Sequence, residues 1–286
     1  MHKQVIMPPR PWPLRLYQWR PWLRLSLAPD GMALALIAPL GRSRRLLAQN
    51  RLEQPFWQTD WPARLGALLE QAAATQKLPR RIEIVLADEF ARLFMVTPPA
   101  NSQRSADLEA AAQLRFAHLY GEDAQNWRLS ADWHAQRAFA ACALPTALLD
   151  GVQAQCAAHG LLQLSCAPAA IDILRTYRGK LVRNGWLCLF HNQGLHLLAH
   201  SAGHVQALQN YLLAPDFWDE PQALAQWLTR ESLRLNLDAP QALQFGGLLP
   251  AKLATQELPQ LAYSVLGGQS APGGSYALRL MQGVLS

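Results

Sequence analysis

One order of elements occurs twice along the chain, and that duplication limits the folds open to it. Residues 23–28, 31–38 and 45–52 read as three strands, the first two joined by the turn Pro29-Asp30-Gly31. Thr59 or Asp60 can cap a helix that has Pro62 in its first turn and carries Leu65, Leu68, Leu69, Ala72 and Ala73 along one face. Residues 81–87 then read as a strand. The same β-β-β-α-β order returns as strands 186–191, 195–201 and 203–207, a helix capped by Asp219 and opened by Pro221, and a strand over 241–245. Helix starts Trp61 and Pro221 lie 160 residues apart, as do strand starts Arg81 and Gln241. The spacing predicts an α/β protein with a duplicated β-β-β-α-β core.

A third module separates the repeats. It reads as strand 90–97, helix 107–119, paired strands 127–133 and 137–144, helix 146–159 and strand 162–166. Ser105 or Asp107 marks the start of its first helix, Glu109 falls in the first turn, Arg115 and His118 come late, and Gly121 follows. The expected division is an arm over 1–21, a first half over 22–88, an inserted α/β subdomain over 89–167 and a second half over 168–286. Pro168 opens a helix through Tyr177, and the tail offers a strand at 258–266 and a helix at 275–284.

Half of the 286 residues are apolar and 16% are charged, which suits a packed globular body. The apolar run 32–40 is broken by Pro39, short of the roughly 18 residues that a bilayer span needs. Pro8, Pro9, Arg10, Pro11 and Pro13 stand where the apolar part of a secretion signal would lie, so a cytoplasmic protein is expected. The net charge of +6 is local, because residues 1–51 hold nine basic residues against one acid, Asp30. Cys142, Cys156, Cys166 and Cys188 form no CxxC pair and read as buried thiols.

Three strands, helix and strand, duplicated around a cleft and interrupted by an α/β insert, resemble the actin-like ATPase superfamily with its RNase H-like halves. Leu93-Phe94-Met95-Val96-Thr97-Pro98-Pro99, and Ala157-Ala158-His159-Gly160-Leu161 leading to Cys166-Ala167-Pro168, look most like the PilM/GspL-type proteins of type IV pilus and type II secretion machines. The resemblance implies a non-catalytic scaffold, peripheral to the inner membrane, that docks to the cytosolic tail of a membrane component. The alternative is an ATP-binding member of the superfamily with weak ATPase or kinase-like activity.

That superfamily holds Mg²⁺ with an acid on its first strand and meets phosphate with small-residue turns. Ser26 stands at the acid's position here, with Gly31 in the turn after it, and the second loop reads Leu189-Phe190-His191-Asn192 with no carboxylate. Gly246 and Gly247 match the third glycine site in a strand-to-helix turn. These four residues read as a vestigial nucleotide site; hydrolysis is not expected, and no cofactor is expected unless ATP binds.

The resemblance also implies a partner groove between the first half and the insert, along strand 90–97 and helix 107–119. Arg92, Phe94, Arg104, Leu108 and Arg115 are its candidate contacts, although Phe94, Leu108 and Phe116 equally suit the insert's own core. In the arm, Arg10, Trp12, Arg15, Trp19 and Arg20 suit an anionic membrane surface. His191, His196, His200 and His204 read as solvent-facing strand residues rather than metal ligands, and Asp88-Glu89 as a turn after Ala87. A nucleophile elbow, a Walker loop and a nucleic-acid-binding platform are missing from the sequence.

Overall fold

A computed structural model describes residues 19–41, 43–102, 104–192, 194–212, 221–238, 240, 242–250, 263–267 and 275–283. In the first half, β1 (Trp22–Ala28), β2 (Gly31–Ile37) and β3 (Arg44–Arg51) form an antiparallel meander. Helix α1 (Trp61–Thr75) crosses to β4 (Arg81–Leu86), which lies parallel to β1. All seven residues of β1 are buried, as befits a strand covered on both faces, so Arg24 and Ser26, which alternate with its leucines, are buried as well. Helix α1 starts as expected: the Asp60 carboxylate accepts from the Ala63 N–H, and Pro62 occupies the first turn.

The second half repeats the plan with β9 (Gly185–His191), β10 (Gly194–Ser201), β11 (His204–Leu212), α5 (Pro221–Leu235), β12 (Leu243–Gly247) and β13 (Tyr263–Val265). Between the halves come β5 (Arg92–Val96), α2 (Ser105–Tyr120), β6 (Trp127–Ala131), β7 (Phe139–Pro145), α3 (Thr146–Ala158), β8 (Leu162–Pro168) and α4 (Ala169–Thr176). Helix α6 (Tyr276–Gly283) closes the described chain. The sheets run β3-β2-β1-β4-β8 and β11-β10-β9-β12-β13, so the duplication holds in topology as well as in element order.

The insert is smaller than its expected span of 89–167. Strand β8 pairs in parallel with β4 as the fifth strand of the first sheet, and α3 packs on α1 and β8. What stands apart is the sheet β5-β7-β6 with α2, over 92–145, closed around Phe94, Val96, Leu108, Ala112, Phe116 and Phe139. Strand β11 runs five residues past its expected end because it packs on β5 and β7, where the Asn210 side-chain N–H donates to the Leu93 carbonyl at 2.9 Å. Gly246 and Gly247 end β12 in register with Leu189 and Phe190 of β9, so they belong to the strand and not to a turn after it. The expected Asp219 cap and most of the expected strand 258–266 lie outside the described residues.

The first half also buries charge. Arg24, on β1, pairs with Asp172 of α4 and lies 3.7 Å from Glu83, whose Oε2 accepts from the Trp22 indole at 3.1 Å. Burial raises the Glu83 pKa, while Arg175 and Arg24 pull it back down. All four cysteines are buried free thiols, and burial pushes Cys156 to about 11 and Cys166 to about 12, which leaves them unreactive.

Candidate functional site

Open α/β sheets place their chemistry beyond the carboxyl ends of their parallel strands. Here those ends are the β1–β2 turn at Asp30, the 3-10 turn Asp88–Phe90 after β4, and the β9–β10 turn at Asn192. One short helix touches all three. The Asp30 carboxylate accepts from the Tyr276 and Ala277 N–H groups at 2.6 and 3.3 Å, anchoring the N-terminus of α6. The Tyr276 hydroxyl donates to Glu89 Oε2 at 2.9 Å. Arg279 donates to the Asn192 side-chain oxygen at 3.1 Å, and Arg44 to the Met281 carbonyl at 2.9 Å. The Tyr276 ring is 2% exposed and fills the junction.

Beside Tyr276 lies a buried acid and imidazole cluster. Asp88 Oδ1 accepts from the Ala170 N–H at 2.9 Å, and its Oδ2 faces His196 Nε2 at 3.6 Å. His196 Nδ1 meets the Asn210 side-chain oxygen at 2.7 Å, and Glu89 Oε1 faces His191 Nδ1 at 3.5 Å. The two imidazoles are 4.9 Å apart. Burial alone would lower the His196 pKa, but the Asp88 carboxylate, with Asn210 and Glu89, raises it above the ordinary histidine value. His191 and His196 are therefore not solvent-facing, since their strands turn them against carboxylates of the first half. Asp88 and Glu89 do form a turn, yet both carboxylates point into the junction, because a 3-10 turn does not alternate its side chains as a strand does. Among the described residues, no three His, Cys, Asp or Glu side chains converge to hold a metal ion.

The residues expected at a vestigial nucleotide site are packed inside the protein. Ser26 is fully buried, and its hydroxyl finds no hydrogen-bond partner among the described residues. A Cβ on Gly31 would strike the Asn50 carbonyl. Gly247 combines φ +83° with a close approach to the Phe190 carbonyl, and Gly246 packs on Leu189 and Ile173. Strand packing explains each of these three glycines.

Of the partner candidates, Phe94 and Leu108 are buried in the insert's own core and cannot meet a partner at the surface. The Arg92 guanidinium lies over the Trp127 and Tyr120 rings at 5.1 and 5.5 Å and pairs with Glu122 at 3.2 Å, so it is engaged within the insert. Arg104 and Arg115 are exposed. Trp57 escaped the sequence reading: it stands edge-on to Phe56 and Phe90 and remains half exposed where the chain enters the insert. Its only signal was an aromatic pair, Phe56-Trp57, in a loop. Trp19 and Arg20 are exposed, whereas Arg10, Trp12 and Arg15 lie outside the described residues.

Two halves of one topology facing each other, the first carrying an insert between its fourth and fifth strands, define an actin-like fold. Solved structures agree. The cytoplasmic domain of EpsL, an inner-membrane component of the Vibrio cholerae type II secretion system, superposes with a TM-score of 0.53 at 12% identity, over 92% of this chain and 93% of that one. The PilM–PilN type IV pilus biogenesis complex gives 0.55 at 12% identity over 86% and 88%. A Bacteroides thetaiotaomicron protein with an actin-like ATPase fold gives 0.56 at 10% identity over 94% and 98%. No protein-family model and no curated protein matches the sequence.

Proposed function

We propose that the chain is a non-catalytic scaffold of a type IV pilus or type II secretion platform, held at the inner membrane through the cytosolic tail of a membrane component. The observation that carries the reading is Tyr276. Its ring is buried in the junction between the strand ends, its hydroxyl donates to Glu89, and Asp30 takes the first N–H groups of α6. Asp30, Asp88 and Glu89 line the same junction, so a phosphate chain entering it would meet carboxylates instead of free donors.

The similarity to the EpsL cytoplasmic domain and to the PilM–PilN complex supports the choice of machine. Trp57, projecting beside Phe90 at the entry to the insert, is the exposed aromatic suited to anchor a short apolar tail, and the exposed Arg104 and Arg115 suit acids on it. Thermal unfolding with and without Mg-ATP separates this reading from a nucleotide-binding one. An unchanged midpoint is expected, and a rise that saturates with ATP would overturn it. Capture of inner-membrane components from the same gene cluster then identifies the partner.

A further inference from the structure

Charge on the first half is sorted along its strands. Strands β1, β3, β4 and β8 all start at one end of the sheet, because β4 and β8 run parallel to β1 and the β1-β2-β3 meander returns β3 to the same direction. The described residues of the segments at that starting end, 19–21, 38–41, 43, 76–80 and 159–161, include Arg20, Lys77 and Arg80 and not one Asp or Glu. Those at the finishing end, 29–30, 52–60 and 87–91, contain Asp30, Glu53, Asp60, Asp88 and Glu89 and not one Lys or Arg. Strands of about seven residues separate the two poles by roughly 20 Å, well beyond the ~8 Å over which charges act through physiological salt. The acidic pole is used internally, by α6 and the histidines. The basic pole faces outward.

The basic pole also exposes large apolar side chains. Trp19 is 67% exposed, Leu162 at the start of β8 60%, Leu40 44% and Leu46 43%. Leu40 is held in the left-handed region at φ 60° in the β2–β3 turn, an unusual place for a leucine that leaves its side chain facing water. The covalent chain of residues 1–18, with Trp12, Arg10 and Arg15, joins the body at Trp19 on this same pole.

We infer that the basic pole of the first sheet is a docking face for an anionic lipid surface. The inference rests on the membrane-peripheral reading above and extends it from the N-terminal arm to the folded body. Arg20, Arg45, Lys77 and Arg80 meet headgroup phosphates, while Trp19, Leu40, Leu46 and Leu162 enter the boundary between headgroups and acyl chains. Exposed leucines gain nothing against a nucleic-acid backbone, and a single tryptophan is a poor platform for stacked bases, which favours lipid over nucleic acid.

The test uses the full chain and sedimentation with vesicles of phosphatidylcholine, alone or mixed with phosphatidylglycerol. Three variants are compared with the parent: Lys77→Glu with Arg80→Glu on the pole, Arg10→Glu with Arg15→Glu on the arm, and Glu53→Gln at the opposite end as a control. Binding is expected only with phosphatidylglycerol and should weaken as salt rises. It should fall about tenfold or more in the pole variant, with an unchanged melting midpoint, and stay unchanged in the control. If the arm variant loses binding and the pole variant keeps it, the arm acts alone and the inference falls while the membrane reading survives. If the parent ignores phosphatidylglycerol, both fall. If the pole variant loses retention on duplex DNA but not on vesicles, the face belongs to nucleic acid and the lipid assignment is overturned.

Discussion

The hydroxyl of Tyr276 lies 2.9 Å from Glu89 Oε2, a contact that spans 187 residues and ties the last helix to the turn where the chain leaves the first half. With the contacts to Asp30, Asn192 and Arg44, it joins α6 to parts of the molecule distant in sequence. Tyr276→Ala should cost about 3–5 kcal/mol in urea unfolding, the range for deleting a buried aromatic. Tyr276→Phe keeps the ring and leaves the Glu89 oxygen short of a donor, costing about 1–3 kcal/mol. A Tyr276→Phe protein as stable as the parent would show that the hydrogen bond contributes nothing.

Stability should also depend on pH through His196. Its folded pKa is raised above the ordinary 6.5, so the folded state holds the proton more tightly than the unfolded chain. The stabilisation is present in full below about pH 6.5 and is lost as pH climbs through the raised folded value. Asp88→Asn keeps an acceptor for the Ala170 N–H and removes the charge facing His196. The decline in melting midpoint over that window should flatten in the variant; an unaltered decline would assign it to another group.

Arg24 is 1% exposed and depends on Asp172 and Glu83 for its charge balance. Arg24→Met alone leaves Asp172 and Glu83 to share the part-exposed Arg175 and should cost about 3 kcal/mol. Replacing all three together, with Asp172→Leu and Glu83→Leu, should recover most of that loss, because an apolar set of similar volume avoids desolvating charge. Chemical denaturation of the single and triple variants measures the difference.

Gly247→Ala sets a side chain at φ +83° against the Phe190 carbonyl and should destabilise by about 2 kcal/mol or more. The loss should be the same with and without Mg-ATP, since strand packing demands the glycine. A loss seen only as weakened ATP protection would restore the nucleotide role.

Trp57→Ala removes a half-exposed ring, so the melting midpoint should shift by only a degree or two while capture of the membrane partner drops at least tenfold. Undiminished capture would move the docking face away from the entry to the insert.

Both meanders and α1 were legible because their signals are local. Pro29-Asp30-Gly31 sets a turn between apolar runs, and Asp60 with Pro62 announces a helix start. The membership of β8 was not legible, since its pairing with β4 is parallel and made by residues that sit far from it in the chain. The junction stayed hidden for the same reason. Asp88 meets His196, and Glu89 meets Tyr276, only after both halves have folded, and each residue has an ordinary turn or strand role in its own neighbourhood. Phe94 and Leu108 show the opposite limit, because an apolar residue at a groove and one in a core look alike until burial is known.

The position of β8 has a consequence for synthesis. Strand β4 ends at Leu86 and its neighbour begins at Leu162, so 76 positions separate them. At about 5–20 residues per second, the ribosome leaves the outer edge of β4 open for roughly 4–15 s. Through that interval an apolar, parallel-pairing edge is available to any extended chain nearby, and the small β5-β7-β6 unit can close before the larger sheet it interrupts. The first half is thus the last part of the N-terminal region to be completed, and the nascent chain is most open to misassembly before Leu162 leaves the exit tunnel.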